Sequence, residues 1–215
     1  NSIPTPNLPP DPKINFEDFI LEKNNLFVGR ENIQKEFTNY VNKSSTNYGV
    51  IKALAGQGKT ALMCRLISEN KNINHCIYHF CMSQDSRDRP EVMLRSLIAQ
   101  LCEIFKLNIT DWLSENLKDL KENLFPNLLS QIGRGLKNKK ILIFIDALDE
   151  SNRDIEKSIG KVIPRIRIKN IKFIISYRVE TDNKNIFVEK TLDHLQDLKI
   201  LNFKTANPMK GLTNN

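Results

Sequence analysis

The sequence predicts an α/β fold, a mostly parallel sheet with helices on both of its faces. Three observations carry that prediction. The first is the loop Ala53-Leu54-Ala55-Gly56-Gln57-Gly58-Lys59-Thr60, set between a short apolar run (Val50, Ile51) and an apolar-periodic helix. The second is Ile141-Leu142-Ile143-Phe144-Ile145, a continuous apolar run that ends in an acid, Asp146. Such a run reads as a strand buried on both faces of a parallel sheet. The third is the alternation of short apolar runs with longer periodic segments, which calls for right-handed crossovers between parallel strands.

The elements follow in order. Residues 1–13 hold Pro4, Pro6, Pro9, Pro10 and Pro12 with almost no periodicity, so they read as an extended linker. The folded core is expected over 14–203 and a polar, frayed tail over 204–215. Phe16, Phe19 and Ile20 suggest a short helix, followed by a turn at 26–30. Ile33, Phe37, Tyr40 and Val41 stand at helical spacing within 31–43. The first strand is predicted over 48–53, and Ala61, Leu62, Leu66 and Ile67 predict a helix reaching residue 69. A second strand is expected over 75–82. Pro90 opens the next helix, where its missing N–H is no loss, and Leu94, Leu97, Ile98, Leu101 and Phe105 form its apolar stripe. Segments 110–119 and 122–136 are predicted helical, with Pro126 obscuring the start of the second. The third strand is 140–146. Ile155, Ile159, Val162, Ile163 and Ile166 predict an amphipathic helix limited by Gly160 and Pro164. A fourth strand is expected over 171–176 and a fifth over 198–203.

Bulk properties narrow the function classes. With 215 residues, 40% hydrophobic and 27% charged, the chain is a soluble globular type long enough for one full core. No run approaches the roughly 20 apolar residues of a membrane span, so no membrane partner is expected. The net charge of +7 permits nucleic-acid binding without requiring it. Its local concentrations, at Lys137, Lys139 and Lys140 and at Arg165, Arg167, Lys169 and Lys172, read as solvated faces or protected strand edges. Cys64, Cys76, Cys81 and Cys102 lack C-x-x-C spacing, which fits buried thiols in a reducing, cytoplasmic setting. His75, His79 and Cys81 share a strand face, but His75 lies about 20 Å along it from Cys81, so a structural strand is favoured over a metal site. The chain opens on Asn rather than Met, which suggests a piece of a longer protein.

The chemistry lies in the loop and the strand ends. A glycine-rich turn between strand and helix aims its backbone N–H groups into one concavity, with the helix's positive end behind it. Ala55, Gly56, Gln57, Gly58, Lys59, Thr60 and Ala61 are therefore candidate polyphosphate contacts. Lys59 can reach the β- and γ-phosphates, and the Thr60 hydroxyl can hold Mg²⁺. The pattern sought is G-x-x-x-x-G-K-S/T, and Ala53 stands at its first position. Ligand chemistry in open α/β sheets gathers at strand carboxyl ends, which places Asp146 to bind Mg²⁺ opposite Thr60. Asp149 and Glu150 follow within one turn, and an acidic turn that merely ends a strand is the plainer alternative. Phe173-Ile174-Ile175-Ser176-Tyr177-Arg178 puts an arginine at another strand's end, where it can face a γ-phosphate or be an ordinary surface residue.

Taken together, these motifs make the chain similar to the NACHT-type STAND ATPases, P-loop NTPases related to the AAA+ class. Phe27-Val28-Gly29-Arg30-Glu31 resembles the V-G-R-E signature with which family members hold adenine. Ile143 to Glu150 resembles their D-A/G-L-D-E acidic block. His79-Phe80-Cys81, Asp85-Ser86-Arg87, Leu94-Arg95-Ser96-Leu97 and Gln100-Leu101 are similar to nephrocystin-like and WD-repeat-associated members. Ser176-Tyr177-Arg178 stands where T-S-R, with its sensor arginine, is usual. The resemblance implies a three-layer fold around a five-stranded sheet of order 5-1-4-3-2. It also implies ATP with Mg²⁺ as cofactors, Val28, Gly29 and Arg30 as nucleotide contacts, and Lys59, Asp149 or Glu150, and Arg178 as the hydrolytic set. Tyr177 in place of serine leaves the γ-phosphate contact to Arg178 and Ser176. A slowly hydrolysing signalling switch is the expected function, with a helical lid, winged-helix segments and protein partners or self-association outside this stretch. A non-hydrolysing assembly scaffold and an origin-recognition-like ATPase acting on DNA are the alternatives.

Overall fold

Five strands form one parallel sheet: β1 (Tyr48–Ala53), β2 (His75–Phe80), β3 (Ile141–Asp146), β4 (Ile171–Arg178) and β5 (Lys199–Leu201). These come from a computed structural model, which describes residues 12–25, 31–180 and 184–201. The strand order is β2-β3-β4-β1-β5, which read from the other edge is the expected 5-1-4-3-2. This is the expected α/β fold, a parallel sheet with helices on both faces.

The pleat divides the core in two. Ile141, Ile143 and Ile145 of β3 enter one apolar cluster, whereas Leu142 and Phe144 enter the other. In β4, Ile171, Phe173, Ile175 and Tyr177 face the first cluster and Ile174 the second. Helices α1 (Glu17–Asn25), α2 (Glu31–Lys43) and α3 (Lys59–Asn70) cover the second face. Helices α4 (Pro90–Phe105), α5 (Leu117–Asp119), α6 (Phe125–Gly135) and α7 (Ile186–Thr191) cover the first. A fully buried Ile or Leu contributes roughly 1.5–3 kcal/mol, so the two-sided run in β3 anchors both layers.

Strand β2 lies at one edge, and its open backbone is met by a side chain. The Gln100 amide, buried on α4, donates to the Tyr78 carbonyl (2.9 Å) and accepts from the Tyr78 N–H (3.0 Å). One glutamine thus stands in for a neighbouring strand and blunts the edge. The segment ahead of α1 lies beside it: Ile14 N–H donates to Ser96 Oγ at 3.3 Å, and Lys13 pairs with Glu103.

Several expectations are corrected. The segment 110–119 is not a helix: a 3₁₀ turn at Ile109–Asp111 is followed by irregular chain until α5. Asn108 and Asn116 side chains accept from Thr110 and Lys118 N–H, offering the backbone local bonds in place of helical ones. Pro126 lies inside a continuous helical run rather than at its start. A π turn at Leu120–Leu124, with Phe125 N–H bonded to Leu120 O, widens the helix just before the proline. The predicted helix over 155–166 is two 3₁₀ turns, Ile155–Lys157 and Ile159–Val162. Ser158 breaks it, its hydroxyl accepting the Gly160 N–H at 3.2 Å.

Strand β2 ends at Phe80 and β4 runs on to Arg178, two residues from the expected bounds in each case. Helix α7 was not anticipated. Lys172 belongs to no solvated face: it is 1% exposed and donates to the Ser44 and Thr46 carbonyls beneath the Tyr40 ring. The expectations for Val28, Gly29, Arg30 and Phe203, and those for 1–11 and 204–215, lie outside the described residues.

Candidate functional site

At the carboxyl end of β1 the chain makes a tight turn into α3. Gly56 (φ 71°) and Gly58 (φ 77°) occupy the left-handed region that a side chain resists. That pair of conformations lets the loop curl back on itself, and the Gln57 carboxamide oxygen closes it by accepting the Leu54 N–H at 3.1 Å. Ala55, Gly56 and Gly58 are exposed, while Gln57, Lys59, Thr60 and Ala61 are half-buried at the loop's exit. The Lys59 ammonium lies inside the curl, 2.9 Å from both the Ala53 and Leu54 carbonyls. Burial pushes it below its ordinary value, against the pull of Asp149 and Asp146, and Arg178 adds to the depression.

Asp146 ends β3 on the same face as α3, and it is 2% exposed. Burial raises its carboxyl above the ordinary carboxylate range, even though Ser176, Thr60, Lys59 and the Ala147 amide all favour the charged form. The Ser176 hydroxyl donates to Asp146 Oδ1 and also receives the Ala147 N–H at 3.2 Å. A buried carboxylate held in this way by hydroxyls, with an ammonium nearby, is stabilised further by any cation that can reach it.

Ala147 then turns with φ 55°, an uncommon conformation for a residue with a Cβ, and buried Leu148 pins the turn behind it. The turn sends the two following acids apart. Asp149, its side chain 11% exposed, accepts the Arg178 N–H at 2.8 Å and lies 3.7 Å from the Arg178 guanidinium. Glu150 points toward the loop after β2, where it accepts the Ser83 N–H at 3.4 Å. Arg178 pairs in register with Ala53, so its exposed guanidinium stands beside the entrance of the loop.

The structure brings Lys59, Thr60, Asp146, Asp149 and Arg178 to one pole of the sheet, with Glu150 at its margin. Ser176 does not face the loop as a free hydroxyl; its bonds to Asp146 and Ala147 engage it. Tyr177 turns to the opposite face, 2% exposed, with the Lys52 ammonium 5.4 Å above its ring. Sequence reasoning missed a supporting layer there. Lys52 pairs with Glu189 of α7 at 2.9 Å, and the Asn185 amide holds the Arg178 carbonyl at 2.8 Å while its oxygen caps α7. An Asx residue directly before the apolar run Ile186-Phe187-Val188 was the available signal.

The His79 strand carries no such cluster. His79 is fully buried, its Nε2 bonded to the Arg87 carbonyl at 2.8 Å, and burial holds it down to about 4. Among the described residues no group of metal-ligating side chains comes together, and no helix is long and apolar enough to cross a membrane.

A family model described as nephrocystin 3, N-terminal, matches residues 32–178, more than half of the chain. The chain belongs to the nephrocystin 3 N-terminal family. The nephrocystin 3 N-terminal match takes in β1 to β4 and every described site residue named above as far as Arg178. No curated protein matches the sequence. Among solved structures, Cdc6p of Pyrobaculum aerophilum is similar at 12% identity and a TM-score of 0.42, over 92% of this chain and 48% of its own. The Aeropyrum pernix ORC1 protein, solved in complex with DNA, has 14% identity and a TM-score of 0.44, over 91% and 47%. The Thermotoga maritima RuvB Holliday junction branch migration motor has 15% identity and a TM-score of 0.36, over 84% and 48%. This nephrocystin 3 N-terminal chain thus spans about half the length of each of these structures.

Proposed function

We propose that the chain is the ATP-binding, slowly hydrolysing switch core of a NACHT-type signalling ATPase. The observation that carries the reading is the buried Asp146 carboxylate, bonded by the Ser176 hydroxyl and favoured in its charged form by Thr60 and Lys59, at the mouth of a loop that encloses the Lys59 ammonium. The fit to a magnesium–nucleotide pair rests on three features. Gly56 has open space where a Cβ would stand, Asp146 is an anion held at a desolvation cost, and Thr60 adds a neutral oxygen beside it. Bound there, Mg²⁺ would neutralise charge on the β- and γ-oxygens.

The chain's own groups divide the remaining work. The amides of Gly56, Gln57, Gly58 and Thr60, with Lys59, hold the phosphates. Lys59 would exchange its two carbonyl partners for phosphate oxygens as the nucleotide enters. Thr60 and Asp146 would hold the metal. Asp149 is better placed than Glu150 to orient water, because its charge acts on Lys59 while Glu150 turns to Ser83. Arg178 meets the γ-phosphate at the loop's edge. Its main chain is tied to Asp149 and Asn185, so loss of that phosphate is felt at α7. Phosphoryl transfer asks mainly for such positioning and charge.

A second reading, in which nucleotide is a structural ligand of an assembly scaffold, is favoured by one feature: the Asp149 carboxylate is engaged by Arg178 through both backbone and side chain. One pair of assays separates the two. In the switch reading the chain binds Mg-ATP and releases phosphate, and Asp149→Asn keeps the binding while phosphate release drops at least about ten-fold. Nucleotide retained through purification with no turnover favours the scaffold. Absence of any nucleotide binding sinks both readings.

A further inference from the structure

The opposite pole of the sheet carries a second concavity. The turn after α2, the stretch before β4 and the turn before β5 enclose a cleft of about 1130 Å³, lined by Lys43, Ser45, Arg165, Arg167, Lys169 and Asp197. These segments precede the amino ends of β1, β4 and β5, so the cleft lies a full strand length from the loop at 54–58. Residues 164–168 carry an alternation: Ile166 and Ile168 pack on the core, while Arg165, Arg167 and Lys169 are exposed. In extended chain alternate side chains share a face and stand about 7 Å apart, which puts Arg165 and Arg167 together on one wall, with Lys169 on the turn that the Ile171 N–H closes onto the Ile168 carbonyl.

Two further features set this wall in place. Tyr48 Oη donates to the Pro164 carbonyl at 2.6 Å and accepts the Ile166 N–H at 2.7 Å, clamping the backbone of the wall to β1. The Asn47 amide donates to the Ile168 and Ile171 carbonyls at 2.7 Å each. Among the described residues, none of Lys43, Arg165, Arg167 and Lys169 forms an ion pair with a carboxylate. Among the described lining residues the acid Asp197 is outnumbered four to one, and Arg167 makes a weak bond, 3.4 Å, to Gln196.

We infer that this cleft binds a ligand with clustered phosphate groups, as a second anion site independent of the loop at 54–58. Arginines match phosphate with paired N–H donors, and a spacing of about 7 Å engages separate phosphates rather than one. The concavity suits a compact ligand. Nucleic acid is disfavoured because, among the described residues, no exposed aromatic ring stands on the wall to stack a base: Tyr48, the ring on the lining, is buried.

The test titrates inositol hexakisphosphate into the chain carrying Lys59→Ala, which removes the loop at 54–58 as a competing site. Binding is expected to persist in that background. It should weaken at least about ten-fold when Arg165→Gln and Arg167→Gln are added, with the urea midpoint unmoved because both side chains are exposed. The single Arg165→Gln variant serves if the pair perturbs folding. Vesicles of phosphatidylcholine with and without phosphatidylinositol bisphosphate distinguish sources: vesicle capture reversed by the soluble probe assigns a lipid headgroup, and probe binding without capture assigns a soluble ligand. Affinity untouched by the glutamine pair, or absent altogether, overturns the proposal. So does a short single-stranded oligonucleotide that binds more tightly than either probe.

Discussion

Asp146 shows how much of this site is a compromise struck at one carboxylate. A carboxyl whose folded pKa lies above its unfolded value binds a proton more readily when folded. Its contribution to stability is therefore fully present below the ordinary carboxylate value and is lost as pH rises through the raised one. At neutral pH ionised Asp146 is held against its own desolvation by Ser176 and Thr60. Asp146→Asn removes the charge and keeps an oxygen for Ser176, so the Tm at pH 7 is expected to rise. The decline in wild-type stability as pH climbs from the acid side should flatten in the same variant. Melts followed by circular dichroism across that range check both; a lower Tm at neutral pH contradicts the account. That Lys59, Thr60 and Asp146 gather at one pole was legible in the sequence, because the loop after β1 and the acid ending β3 both lie at the carboxyl ends of parallel strands. The Ser176 bond to Asp146 was not, since it joins two strands whose pairing only the fold fixes.

Helices and strands were read correctly where burial alone imposes the period. Strand β3 is a continuous apolar run, β1 and β4 are mostly buried, and α3 and α4 repeat apolar residues on one face with a glycine or proline at the start. The reading failed over 155–166, where Ile159 and Val162 stand three apart. A 3₁₀ turn aligns residues at that spacing as well as an α-helix does, so periodicity alone does not distinguish them. The Ser158 hydroxyl breaks the helix locally, and α7 packs closely on the turn that results. A Cβ on Gly160 would lie 2.1 Å from Thr191 Oγ1 and 2.7 Å from Thr191 Cβ, so the turn and α7 touch backbone to side chain. Gly160→Ala is expected to cost about 1–3 kcal/mol, seen as a lower urea midpoint at unchanged m. Adding Thr191→Ala removes the nearest atom and should recover part of the loss. A Gly160→Ala midpoint equal to wild type would mean that α7 does not press on the turn. Because α7 also holds Asn185 against Arg178, the same variant is expected to loosen the loop entrance from behind.

At the scale of the molecule the parallel sheet separates two chemistries. Every strand points the same way, so the glycine loop, Asp146 and Arg178 collect at the carboxyl pole while Lys43, Arg165, Arg167 and Lys169 collect at the amino pole. The net charge of +7 visible in the sequence does not reveal this division, because Lys43 and Arg165, from distant parts of the chain, line one cleft only after the crossovers are made. Separate poles predict separate linkage. A ligand that binds only the folded state stabilises it by about 2.7 kcal/mol at one hundred times its Kd. For this size of domain that raises Tm by roughly 5–10 °C. Mg-ATP should give such a rise in the wild-type chain, none in Lys59→Ala, and in Asp146→Asn no more than ATP gives with the metal chelated. Inositol hexakisphosphate should raise Tm equally in wild type and Lys59→Ala, and its increment should add to that of Mg-ATP, since sites a strand length apart with no shared side chain are expected to couple weakly. An Mg-ATP rise that survives Lys59→Ala would place the nucleotide elsewhere, and competition between the two ligands would merge the poles into one site.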